Sequence, residues 1–187
     1  RRASCHARRP GMNGRILHAD PQLPRTGGAQ QAQRQAIDVA VGILIRADGS
    51  FLLTTRPPGK AYAGYWEFPG GKLEAGETVA QALARELNEE LGLTLEAAAI
   101  RPWRQQLVDY PHALVRLHFC KVHAWRGQPQ MREGQQHAWQ TLPVQVAPVL
   151  PGTIPVLQWL QEQAREKPPA APSAKPAHRS SNNSGPR

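Results

Sequence analysis

Apolar runs and the turn residues between them divide the chain into elements. From Ile37 to Arg46 the run Ile-Asp-Val-Ala-Val-Gly-Ile-Leu-Ile-Arg predicts a buried strand. Phe51 to Arg56 reads as its partner across the turn Ala47-Asp48-Gly49-Ser50, the two forming a hairpin. Val79, Leu83 and Leu87 recur at helical spacing. Thr78 with Gln81 fits a capping box that starts this helix near Val79, and Gly92 suits a left-handed stop. Beyond it the pattern predicts a weak strand near Leu95–Arg101 and another around Trp103–Val108. A strong strand follows from Leu114 to Trp125, then a loop from Gly127 to Gly134, a short strand over Ala138–Leu142 and a closing helix over Val156–Gln163. There is no internal repeat.

Composition adds tails to this picture. The 187 residues suit one domain, here residues 37–163, with flanking segments. Residues 1–36 are rich in Arg, Gly, Pro and Gln without apolar periodicity, and residues 164–187 are a Pro/Ala/Ser/Lys tail; both compositions predict disorder. The chain begins without methionine, and Met12 is a candidate start. An Arg-rich, acid-poor N-terminus also suits a transit peptide, but Pro10, Gly11, Gly14, Pro21 and Pro24 interrupt any amphipathic helix there. No apolar run approaches the roughly 18 residues of a membrane span. Cys5 and Cys120 form neither a disulfide framework nor a metal-ligand pair, which suits a reducing, cytoplasmic setting.

The formal charge of +9 changes little, because it sits in the tails. Residues 1–36 carry +6 and residues 163–187 carry +4, which leaves the central segment at −1 and without the basic patch of a polynucleotide binder. His112, His118, His123 and His137 lack zinc-like spacing and read as structural.

The candidate chemistry lies on the first helix. Glu86, Glu89 and Glu90 stand at i, i+3 and i+4, which places three like charges on one side, roughly 5–6 Å apart, beside the apolar stripe. Arg85 is the only nearby cation. A hard divalent cation with oxygen ligands, sharing its sphere with substrate phosphates, would turn this repulsion into attraction. The Gly70-Gly71 pair ahead of the helix lets backbone approach metal and phosphate closely.

From Gly71 five residues lead to Glu77, seven more to Arg85-Glu86-Leu87, and then come Glu89-Glu90, Gly92 and Leu93. This resembles the signature of the Nudix hydrolases at all nine defined positions over twenty-three residues. The resemblance implies a Nudix-type α/β/α sandwich with a mixed sheet and a loop-helix-loop catalytic signature. It also implies Mg²⁺ or Mn²⁺ dependence and hydrolysis of a nucleoside diphosphate linked to another moiety. Glu86, Glu89 and Glu90 are then metal ligands, with Glu77 and the Gly70 carbonyl as secondary ligands and Arg85 orienting the acids.

The block Trp66-Glu67-Phe68-Pro69-Gly70-Gly71-Lys72 looks like the MutT branch of that family. In that branch an arginine matching Arg56 helps hold the nucleotide, and the aromatic matching Phe68 lies in the base cleft. An ordinary solvated arginine and a core-packed phenylalanine remain open alternatives. A loop glutamate matching Glu133, in Met-Arg-Glu-Gly-Gln, reaches the metal and can assist water, so Glu86 or Glu133 accepts the proton; a solvated loop acid is the alternative for Glu133. Substrate contacts fall on Arg56, Glu67, Phe68, Gly71, Lys72 and Thr153.

The substrate implied is an oxidised purine deoxynucleoside triphosphate, taken up by a monomer without membrane attachment. One position departs from the branch: Thr153 stands where an asparagine reads the oxidised guanine edge, and a hydroxyl lacks the two-point amide pattern. Pyrophosphohydrolases of CTP and other pyrimidine nucleotides share the Trp-Glu-Phe block and are the alternative enzyme. A non-catalytic nucleotide-binding module is the alternative of another class, but such modules commonly lose signature glutamates that this chain retains.

Overall fold

The computed structural model describes residues 16–19 and 35–166. Most of both tails, and with them the disorder expected there, lies outside the described residues.

Among the described residues, eight strands and two α-helices follow one another as β1 (Leu17–His18), β2 (Ile37–Leu44), β3 (Phe51–Thr55), β4 (Trp66–Glu67), β5 (Gly70–Lys72), α1 (Val79–Leu91), β6 (Ile100–Asp109), β7 (Leu114–Val122), β8 (His137–Gln140) and α2 (Ile154–Glu166). A five-stranded mixed sheet has the order β1-β6-β7-β2-β5, and a three-stranded sheet has the order β4-β3-β8. β2 runs parallel to β7 and antiparallel to β5.

Alternation along β2 organises the core. Ala40 and Leu44 join Leu83, Leu87 and Leu91 of α1 in one apolar cluster. Val41 and Ile43 point the other way, into a cluster with Phe68, Phe119, Val156 and Trp159. The period of two along a strand thus feeds both faces of the sheet, and each helix covers one face with its apolar stripe. Full burial of each of Leu83, Leu87 and Leu91 contributes about 1.5–3 kcal/mol. Gly42 lets α1 press onto β2, since a Cβ there would lie 3.1 Å from a Leu83 methyl carbon.

The helix ends match the sequence. The Thr78 hydroxyl accepts from the Gln81 amide while the Gln81 side chain accepts from the Thr78 amide, and Gly92 closes the helix at φ 67°.

Several expectations are corrected. The strands flanking the 47–50 turn do not pair along their length as a hairpin: β2 and β3 enter different sheets, and the turn itself is closed by the Ile45–Phe51 bridge and the Arg46 amide donating to the Ser50 carbonyl at 2.8 Å. Of the two strands predicted within 95–108, the first is largely replaced by a 3-10 turn at Ala97–Ala99, and its end joins the second in the single β6, with a register shift between Pro102 and Arg104. β7 stops at Val122 rather than Trp125, β8 covers His137–Gln140, and α2 extends from Ile154 to Glu166. Leu17–His18, within the segment read as a disordered tail, adds a parallel edge to β6.

Candidate active site

A cavity of about 580 Å³ opens where β2, β3, β5 and α1 meet the 57–65 and 130–135 loops. Glu86 and Glu90 reach it from α1, Glu133 and Gln135 from the second loop, and Lys60 and Tyr62 from the first. An apolar and aromatic part of the wall is formed by Phe68, Tyr110, Leu117, Phe119 and Leu150, with Thr153 in the turn before α2.

The acidic wall is built by close backbone approach. Gly70 adopts φ 151°, and a Cβ on it would fall 2.1 Å from the Ala40 carbonyl oxygen of the neighbouring strand. A Cβ on Gly71 would fall 2.0 Å from the Glu86 carboxyl carbon. Only glycine lets that carboxylate lie over the loop backbone.

Arg85 then fixes the acids from behind. Its Nε and Nη2 donate to the two Glu77 oxygens at 2.8 and 2.9 Å, and Nη1 donates to Glu86 at 2.9 Å and Glu89 at 3.3 Å. Nη2 also donates to the Lys72 carbonyl at 2.9 Å, tying loop to helix. The Arg85 hydrogen bonds, with that of the Glu74 amide, hold the Glu77 carboxyl down to about 2. Arg85 is itself raised, chiefly by Glu77.

Glu90 has the opposite environment. Burial, reinforced by Glu133, Glu86 and Glu67 and opposed by Lys60, pushes its carboxyl up to about 7. Glu133, Glu86 and Glu67 thus all repel Glu90 across the cavity wall. The Glu133 loop is held against the end of α1, where Arg132 Nη1 donates to the Asn88 carbonyl at 2.9 Å and the Glu133 amide donates to Gln135 Oε1 at 2.8 Å.

Among the described residues no three His, Cys, Asp or Glu side chains are gathered closely enough to enclose a metal unaided. The donor set nevertheless fits a hard divalent cation. Glu86, Glu90 and Glu133 offer only oxygen, the bare Gly71 backbone lets the Glu86 carboxylate lie over the loop, and Mg²⁺ is ordinarily held by one or two carboxylates with the rest of its sphere from water and phosphate.

The sequence-predicted residues divide into two groups. Arg56, Glu67, Phe68, Gly70, Gly71, Lys72, Glu86, Glu90, Glu133 and Thr153 line the cavity. Glu77, Arg85 and Glu89 are not on its wall, and the Glu89 side chain is 59% exposed beside Arg85. Arg56 is neither simply solvated nor free: Nη1 donates to both Glu67 oxygens at 2.9 Å and Nε to the Ala61 carbonyl at 2.7 Å. Burial raises the Glu67 carboxyl in spite of that partner. Phe68 packs on Phe51 at a centroid distance of 5.6 Å, as a core residue would, and also lines the cavity.

Sequence reasoning assigned no role to Lys60, Tyr62, Tyr110 or Gln135. Tyr62 holds φ 62°, and its ring meets Tyr65, Tyr110 and His112 at 5.3, 5.8 and 6.2 Å. Burial pushes the Tyr110 phenol up to about 12. The signal for Gln135 was its place directly after Glu133-Gly134; the other three sit in loops with no local pattern.

The NUDIX domain model matches residues 36–161. An 8-oxo-dGTP diphosphatase of Haemophilus influenzae is 41% identical over 106 residues, 57% of this chain and 76% of that protein. The Escherichia coli 8-oxo-dGTP diphosphatase is 36% identical over 57% of this chain and 81% of its own length. The E. coli CTP pyrophosphohydrolase is also 36% identical, over 63% and 87%. Among solved structures, a MutT from work on Aliivibrio salmonicida and Vibrio cholerae aligns with a TM-score of 0.56 at 34% identity, covering 69% of this chain and 99% of the other.

Proposed function

The chain belongs to the Nudix hydrolase family, and on that premise we propose that it is an 8-oxo-dGTP diphosphatase, cleaving the triphosphate to the monophosphate and pyrophosphate with Mg²⁺. The observation that carries this reading is a single cavity whose lining combines three converging acids with an aromatic slot of a volume suited to one nucleotide. Such an enzyme would clear oxidised nucleotides from the cytoplasmic pool and so protect DNA from mutation.

Glu86, Glu90 and Glu133 would hold the cation, with Glu89, Glu77 and the Gly70 carbonyl as outer partners. A divalent cation held there would neutralise phosphoryl charge and lower the pKa of a coordinated water. Arg85 keeps Glu86 in place through the 2.9 Å bond. Between the two candidate bases, Glu133 is the better placed to take the water's proton, because its contact with Lys60, at 3.4 Å, is longer than the 2.9 Å bond of Glu86 to Arg85. The Glu133 side chain is 41% exposed on its loop, so the proton can pass on to solvent. Phe68, Tyr110 and Phe119 supply flat apolar surface for the base, with Thr153 beside them.

A second reading, a CTP pyrophosphohydrolase, is favoured by Thr153, whose hydroxyl offers one contact point where an amide offers two. Ranking kcat/KM for 8-oxo-dGTP, dGTP and CTP separates the two. We expect 8-oxo-dGTP first, and Thr153→Asn should widen its lead over dGTP. CTP in first place would overturn the oxidised-purine reading, and unchanged ratios in the variant would remove Thr153 from the base site.

A further inference from the structure

The 57–65 loop brings a lysine against the acids. Lys60 Nζ stands 3.4 Å from Glu133 Oε2 and 4.0 Å from Glu90 Oε1, so one ammonium spans two groups assigned to the cation. The neighbouring guanidinium groups are already engaged. Arg56 is taken by Glu67 and Ala61, and Arg85 by Glu77, Glu86, Glu89 and the Lys72 carbonyl. Lys60 is different, because its contacts are long and its side chain is 51% exposed. The backbone beneath it is fixed: the Lys60 amide donates to Pro57 at 3.4 Å, Ala63 donates back to the Lys60 carbonyl at 3.1 Å, and Gly64 donates to Arg56 at 3.0 Å. Any movement therefore belongs to the flexible four-carbon stem.

We infer that Lys60 exchanges partners during the catalytic cycle, holding Glu90 and Glu133 in the free protein and passing to the nucleotide's polyphosphate when a divalent cation takes those acids. This rests on Glu90 and Glu133 being cation ligands. A divalent cation brings twice the charge to the same oxygens, so it outcompetes the ammonium and repels it. The substrate's phosphate chain, entering the same cavity, is the anion then within reach. Lys60 is thus a competitor of the metal before substrate arrives and a positioning residue for phosphate afterwards.

The two roles give effects of opposite sign, which a merely structural lysine would not. In the full chain, Lys60→Gln should tighten Mn²⁺ binding to the free protein, read by electron paramagnetic resonance, roughly two- to fivefold. At saturating Mn²⁺ it should weaken binding of a non-hydrolysable α,β-imido nucleoside triphosphate roughly tenfold. Lys60→Arg, which keeps the charge, should remain near wild type in both. If both affinities move in the same direction, or either fails to move, the exchange is wrong. Glu90→Gln in the same titration separates the premise from the inference. Unchanged Mn²⁺ affinity there overturns the ligand assignment and the exchange with it, whereas a weakened affinity alongside a silent Lys60→Gln overturns the exchange alone.

Discussion

Gly71 shows how much of the site depends on a missing side chain. A Cβ at that position would lie 2.3 Å from both Glu86 carboxylate oxygens, so Gly71→Ala must displace either the acid or the loop. The Gly71 backbone is paired with Ala40 of β2, whereas Glu86 is held at its tip by the single Arg85 bond, so Glu86 is the part that moves. The expected outcome is a loss of kcat of about tenfold or more, roughly 1.4 kcal/mol in the barrier, with little change in Tm. Stopped turnover with a collapsed Tm would show instead that the backbone yields. This position was legible in the sequence because the signature's spacing is local and helical. Lys60 was not, since its acid partners lie 30 and 73 residues away and no periodicity links them.

At the scale of elements, short-range pattern reports an element's existence better than its partner. The Ala47–Ser50 turn resembles a hairpin turn, and Asp48 does accept from the Ser50 amide and hydroxyl at 2.9 and 2.7 Å. Pairing is nevertheless decided by β7 and β5, which claim both edges of β2 and leave β3 to β4 and β8. Pro102 made β6 look like two strands. It is tolerated at the register shift between Pro102 and Arg104, where the β6–β7 ladder is interrupted. β4 and β5, of two and three residues, are too short to leave a pattern. Across β2 and β7, Asp38 Oδ1 accepts from His118 Nε2 at 2.7 Å and Arg116 Nη1 at 3.1 Å. Burial pushes the Asp38 carboxyl up, but these two partners outweigh it, and the net value falls below 3.8. A carboxyl lowered by folding stabilises the protein above its unfolded value, and that contribution is lost as pH falls through the folded value. Asp38→Asn should therefore lower stability at neutral pH, by under about 1 kcal/mol for so solvent-screened a pair. The gap from wild type should close below about pH 4 in denaturant titrations; a gap independent of pH would assign Asp38 a role other than charge.

At the scale of the whole molecule, the sheet with a helix on each face and the signature loop across one edge were legible because the resemblance spans the catalytic stretch. Cavity shape was not, since it is assembled from seven separated segments. The charge partition also belongs here: with the tails carrying the positive excess, a chain of residues 16–166, which keeps β1 on the edge of β6, should keep the full kcat/KM. A large drop would show the basic arms capturing phosphate. The central claim is cleavage that releases pyrophosphate under the control of the α1 acids. Its most direct measurement is separate quantification of pyrophosphate and inorganic phosphate released from 8-oxo-dGTP with Mg²⁺, for wild type and Glu86→Gln. One pyrophosphate per monophosphate formed, without inorganic phosphate, and at least about a tenfold lower rate in the variant is the expected result. Release of inorganic phosphate as the first product, or a Glu86→Gln enzyme as fast as wild type, would contradict it.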